Sequence, residues 1–298
     1  RIELVCGSRA LRYVNSILAQ NHQVSTLLSA KAFETGAAVQ RLTEENADAV
    51  VHLGNYSRRE FLAAYPASQQ LHAVIPHHIY EGLYAPIDRG EARRKLGIPA
   101  DAFVMLAFGA FRHASERKLV WRAFRRLPLA GKFLLAPRLW PYTLNGSYHR
   151  GVKRLAVKTL YHAAHAAENR FRMRITSAEG LIPDADLPAY FTAADVVFIQ
   201  RTDILNSGNV PQAFAFGRVV AGPDSGNIGE MLAATGNPVF DPADPASVDR
   251  ALAEAVCKRL DSYTGDFCIE SFDPFAVADV RKLRPGICRG QLSMNFLK

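Results

Sequence analysis

The sequence predicts an α/β protein built on a parallel, doubly wound sheet, and three observations carry this. From Ala102 onward, strand-like and helix-like segments alternate. The strand-like segments are continuously apolar, as strands covered on both faces are. The loops after them are rich in Gly, Asn and Ser, at the carboxyl ends of the strands where such sheets bind ligands.

Taken in order, Asp48 to Leu53 (DAVVHL) reads as a short buried-type strand, and Ser57 to Tyr65 as a helix with Ser57 as its N-cap. His72 to Ile75 is a further apolar stretch, ended by Pro76. Turn residues then dominate until the helix EARRKLG, closed by Gly97 and Pro99. The regular pattern follows: strand FVMLAFG, a helix through Leu119 to Leu127, and strands KFLLAP and FRMRIT. Helix LPAYFTAA, strand DVVFIQ, helix PQAFAFG with Gly217 as its cap, and strand RVVAG come next. Helices GEMLAAT and ASVDRALAEAVCKRL complete it. The tail from Gly265 has weak periodicity and no assigned function.

This divides the chain into an N-terminal Rossmann-like domain at 1–75, a linker at 76–100, a second Rossmann-like domain at 101–262 and a tail at 263–298. At roughly 100–200 residues per domain, the first region is too short to be complete. The chain also starts at Arg1 rather than methionine, so the N-terminal domain is expected to be incomplete.

No run reaches the ~18 apolar residues of a membrane span, and no secretory signal opens the chain. Cys6, Cys257, Cys268 and Cys288 are far apart and lack metal-ligand spacing. Reduced thiols in a cytoplasmic protein are therefore expected. His149, His162 and His165 have no acidic or cysteine partner, so no metal site is expected there. His77 and His78 read as surface residues of the linker, and Trp121 and Phe124 as core.

The formal net charge is +8, and between Arg112 and Arg174 fifteen Lys or Arg face two acids, Glu116 and Glu168. Such a field favours an anionic partner. No nucleic-acid-binding motif is present. The stretch 149–170 reads as a helix whose first half holds Arg150, Lys153, Arg154 and Lys158. Cations there oppose the helix dipole. An anionic membrane surface is one expected partner, and a solvated basic face is the alternative.

Three segments can carry chemistry. In FGAFRHASERK, Gly109 permits close backbone approach, and Arg112 with Arg117 or Lys118 can neutralise a diphosphate. In ILNSGNVPQAFAFG, Asn206, Ser207, Gly208 and Asn209 form a small-residue turn before a helix, either an anion site or an ordinary cap. GPDSGNIGE is a glycine-rich loop ending in Glu230.

Their order, with GLIPDADLPAYFTAAD between the first two, resembles the C-terminal domain of retaining family-4 GT-B glycosyltransferases over roughly residues 72 to 256. The resemblance implies a GT-B fold of two Rossmann-like domains and transfer of a sugar from a nucleotide-diphosphate-sugar to a glycan or lipid-linked acceptor. It implies no cofactor and no metal. Arg112 and Lys118 match the catalytic basic pair on the diphosphate, with Arg117 able to replace Lys118. Ser207, Gly208 and Asn209 match the phosphate turn, Leu181 and Ile182 the nucleobase contacts, and Gln212 a ribose contact. The family's paired glutamates would fall at Ile204 and Gln212, so both are absent; Asp203 is the candidate replacement for the first. A catalytically inactive nucleotide-sugar-binding module is the rival reading. A sugar-nucleotide epimerase would need crevice carboxylates that the sequence does not place.

Overall fold

The computed structural model describes residues 48–129, 131–139, 171–175, 182–265, 267–271 and 273–292, with single helical positions at 156, 159, 163, 167, 168 and 170. The chain forms two compact units, one of residues 1–52 and 58–75, the other of residues 53–57 and 76–298.

In the smaller unit, β1 (Ala49–His52) pairs in parallel with β2 (Leu71–Val74). The strand expected to be buried leaves Val51 55% exposed. The helix after it, α1 (Asn55–Ala64), begins two residues earlier than the sequence suggested. Ser57 is therefore not its cap; the hydroxyl donates to the Gly54 carbonyl, 2.9 Å away. His52 Nε2 and His72 Nδ1 share a hydrogen bond of 2.9 Å. Burial, then His72 and Arg58, lower the pKa of His52.

The larger unit holds α2 (Arg89–Leu96), β3 (Phe103–Leu106), α3 (Ala114–Arg126), β4 (Lys132–Leu135) and β5 (Met173–Arg174). A 3-10 turn (Asp184–Asp186) leads into α4 (Leu187–Ala193), followed by β6 (Val196–Phe198), α5 (Asn209–Ala215) and β7 (Val219–Pro223). Then come α6 (Gly226–Ala234), β8 (Val239–Phe240), α7 (Pro245–Leu260), β9 (Cys268–Ser271), α8 (Pro274–Leu283) and β10 (Cys288–Gln291). The main sheet has the order β5-β4-β3-β6-β7-β8, and every pairing in it is parallel.

Strand alternation explains why both faces are covered. Val104, Leu106 and Phe108 enter one core with Phe191 of α4, Val210 of α5 and Leu232 of α6. Met105 and Ala107 enter the other with Val120 and Phe124 of α3 and Leu252 and Val256 of α7. Each buried Leu or Phe stabilises the fold by about 1.5–3 kcal/mol, and a one-residue slip would exchange the side chains of the two cores and misfit the packing of both.

Local chemistry sets several boundaries. Gly97 closes α2 in the left-handed region at φ 64°, and Asp88 caps its start by accepting from the Glu91 amide at 3.0 Å. Asp244, followed by Pro245, caps α7 by accepting from Ala246 N at 2.8 Å. Asp195, buried between β3 and β6, accepts from Val104 N at 2.9 Å and from Arg93 Nη2 at 2.9 Å. It also accepts from Arg259 Nε at 3.1 Å and from Arg89, so one carboxylate joins α2, β3 and α7.

The tail differs from expectation. It folds as β9, α8 and β10, with β9 and β10 pairing in parallel and Cys268 in register with Cys288. Ile269 and Val280 are fully buried in the core beneath α7. The two cysteines, distant in sequence, are thus neighbours in space. Strand β8 was likewise not expected. Most of the basic stretch 149–170, including Arg150, Lys153, Arg154 and Lys158, lies outside the described residues, as do His149, His162 and His165. Among the described residues no helix is long and apolar enough to cross a membrane.

Candidate functional site

In the strand order, β3 is flanked by β4 on one side and β6 on the other. The chain winds outward from β3 in one direction and then in the other, so the crevice beyond the carboxyl ends of β3 and β6 is the topological switch point. Two loops meet there, the one after β3 and the one between β6 and α5. The carbonyl of Phe108, at the end of β3, accepts from Gln200 Nε2 after β6 at 3.2 Å and from Asn209 Nδ2 at the start of α5 at 3.0 Å.

Gly109 follows with φ 98°, in a region L side chains rarely adopt. A Cβ there would lie 3.0 Å from Asn209 Nδ2. Next comes Arg112, whose amide donates to Glu116 Oε2 at 2.7 Å and whose side chain is exposed. Lys118 is also exposed and Arg117 half-buried, both on α3.

Two residues that the sequence reading missed join this cluster. Arg201, from the loop after β6, reaches across the switch point to donate to the Ala110 carbonyl at 3.4 Å. Burial, then the charges of Arg112 and, after Glu116, Arg138, depress its pKa. Arg138 sits just past the carboxyl end of β4. The charge of Glu116 opposes that depression and acts to raise the pKa of Arg201. Both arginines follow strand-like runs (DVVFIQ and KFLLAP) directly, which is the signal that could have found them. Such an array of guanidiniums, partly withdrawn from water, suits an anion with several oxygens.

The remaining candidates lie on neighbouring loops. Asn206 Oδ1 accepts from Asn227 Nδ2 at 2.8 Å. Ser207 O accepts from Val210 N at 3.3 Å, and Gly208 precedes α5 in right-handed helical conformation. Asn227 also accepts from Ser57 N at 3.0 Å, and Glu230 accepts from Tyr56 N at 2.9 Å; Tyr56 and Ser57 belong to the segment 53–57 of this same unit. Gly54 permits that approach, because a Cβ there would meet the Asn227 side chain at 2.3 Å. Asp203 is exposed.

Gln212 is only 8% exposed, and its amide nitrogen has no acceptor among the described residues. Its side chain meets the Tyr84 hydroxyl. Burial, then Asp184 and Tyr80, raise the pKa of Tyr84, and the contact with Gln212 acts to lower it. Tyr84 also walls a cleft of about 590 Å³ with Leu83, Pro86, Ile87, Lys95 and Pro188. Ile182, at the mouth of α4, is partly buried against the core, and Leu181 lies outside the described residues. His77 and His78 stack on one another at 5.3 Å. Phe124 is buried in the core and Trp121 packs against it.

The sequence matches no protein-family model and no curated protein. Among solved structures, the chain is similar to a sucrose-phosphate synthase from Thermosynechococcus elongatus, with TM-score 0.51 and 20% identity over 76% of this chain and 53% of that one. It is also similar to Anabaena HepE in complex with UDP, with TM-score 0.53 and 18% identity over 76% of this chain and 58% of that one. The fold is GT-B. This chain spans a little over half the length of those two GT-B proteins. The crevice beyond β3 and β6 lies at the switch point of a Rossmann-like parallel sheet.

Proposed function

We propose that the protein is a glycosyltransferase that takes a sugar from a nucleotide-diphosphate donor, with retention of configuration and without a metal ion. The observation that carries this reading is Arg201, which reaches from the β6 loop to the Ala110 carbonyl in the β3 loop that also holds Arg112. Departure of a nucleoside diphosphate gathers negative charge in the transition state, and donors fixed in advance at that place stabilise it. Arg112, Arg201 and Arg138, with Lys118 or Arg117 from α3, are those donors. The glycine at 109 lets the phosphate approach the backbone. The buried amide of Gln212, beside the Tyr84 hydroxyl, offers a donor to a ribose hydroxyl.

UDP bound to HepE makes UDP the first nucleotide to try. The acceptor is a glycan or lipid-linked hydroxyl; the basic stretch 149–170 favours one presented at an anionic membrane face. A second reading, a nucleotide-sugar-binding module without turnover, is favoured by Ile204 and Gln212 standing where relatives carry glutamates. Turnover with UDP-, GDP- and ADP-sugars separates the two.

Titration with UDP and with uridine in EDTA tests the site. Arg112→Ala weakens UDP by about 1.5–3 kcal/mol, the range for a charge-assisted contact, and leaves uridine unchanged. An equal loss for both ligands, or UDP binding that requires added magnesium, overturns the assignment.

A further inference from the structure

Cys268 opens β9 and Cys288 opens β10, and the parallel register sets them directly beside each other. Both are exposed, whereas Cys257 in α7 is buried. Adjacent strands lie about 4.8 Å apart, within the ~4.4–6.8 Å Cα separation that a disulfide bridges. Registered residues also project to the same face of the ladder. Cys288 beside it is the main cause holding the Cys268 thiol above its usual range, and Cys268 Sγ also lies 3.9 Å from the Ile269 carbonyl. Arg289 acts in the opposite direction and favours the thiolate.

The two strands are connected through α8, which rests on the core through the buried Val280. A bond between the strands closes a covalent loop around that helix. We propose that Cys268 and Cys288 form a reversible thiol–disulfide site that fastens the β9–α8–β10 segment. The co-reactant is a low-molecular-weight disulfide such as oxidised glutathione. One protein thiolate attacks it, forming a mixed disulfide and releasing one glutathione thiolate. The second cysteine attacks the protein sulfur of that mixed disulfide, the Cys268–Cys288 bond forms, and a second glutathione leaves. The protein pair is oxidised and the reagent reduced, and the two protons end on the released glutathione thiols. Exposure of both sulfurs leaves the bond open to reductants, so it reverses.

The full chain, incubated with oxidised glutathione, is digested unreduced and read by mass spectrometry. The expected product joins the Cys268 and Cys288 peptides, is lighter by two hydrogens and is cleaved by dithiothreitol, with Cys257 unmodified. Cys288→Ser then retains glutathione on Cys268. Glutathione retained on both cysteines of the parent chain, or either cysteine bonded to Cys6 instead, overturns the site. Amide hydrogen exchange across α8 reads the fastening: closing a loop of this length slows it at least about tenfold in the oxidised parent but not in Cys288→Ser. Exchange that is unchanged on oxidation overturns the constraint.

Discussion

Replacing Asp195 by alanine strips four donors of one acceptor group: Val104 N, Arg93 Nη2, Arg259 Nε and the Arg89 guanidinium. The cost depends on which of them is dry. Arg89 and Arg259 have side chains 32% and 31% exposed, so water can solvate them, while Arg93 is 5% exposed. The Val104 amide, buried in β3, loses its partner at about 1–3 kcal/mol. Removing one member of a buried ion pair costs about 3–5 kcal/mol. Arg93 keeps bonds of 3.3 Å to the Ala193 carbonyl, which hold the total in the lower half of that range. Urea unfolding followed by circular dichroism reports this as a lower midpoint with an unchanged slope. Asp195→Asn, which keeps an acceptor for Val104 N but loses the charge, falls between the parent and alanine. Arg259→Ala costs about 0–1 kcal/mol, as a partly solvated pair does. An Asp195→Ala midpoint no lower than that of Arg259→Ala refutes the argument that burial, rather than the number of ion pairs, sets the cost.

Two further outcomes follow from single residues. Gly109→Ala forces a side chain into φ 98° and toward Asn209 Nδ2, costing about 1–3 kcal/mol in backbone strain; it lowers both the melting temperature and UDP affinity, and parent-like values for both contradict the loop geometry. Burial pulls the Lys132 ammonium from 10.5 down to about 8, opposed by Asp273. Between those two values the unfolded chain holds a proton that the folded chain has lost, so stability through this residue is gained as pH rises across the window. The difference in urea midpoint between the parent and Lys132→Met should therefore climb with pH, and a flat difference rejects the shift.

The strands of the larger unit were legible because FVMLAFG and KFLLAP are apolar at successive positions, a consequence of having a core on each side. The pairs at β9 and β10 were not, since CIES and CRGQ mix exposed polar residues with a single buried Ile269 and carry no apolar run. Strand β8 is two residues long and gave no period to read. The start of α1 was misplaced because Ser57 looks like a cap, while the structure uses its hydroxyl on the Gly54 carbonyl. Among the candidate site residues, Arg112 stood out by its place in a glycine-containing loop before a helix, and Lys118 by its place early in that helix. Arg201 could not be joined to them without knowing that β6 lies beside β3, which is a property of strand order and not of local pattern. The same holds for Cys268 and Cys288.

The two amides that grip the Phe108 carbonyl, Gln200 and Asn209, are uncharged. Mobile ions screen exposed charges and scarcely touch buried dipoles. On the proposed reading, added salt therefore weakens the hold of the arginines on a phosphate while leaving the two amide contacts to Phe108 unmoved. Ionic strength would then control how often the crevice is filled separately from its shape, so a nucleotide entering at high salt would meet the same geometry as at low.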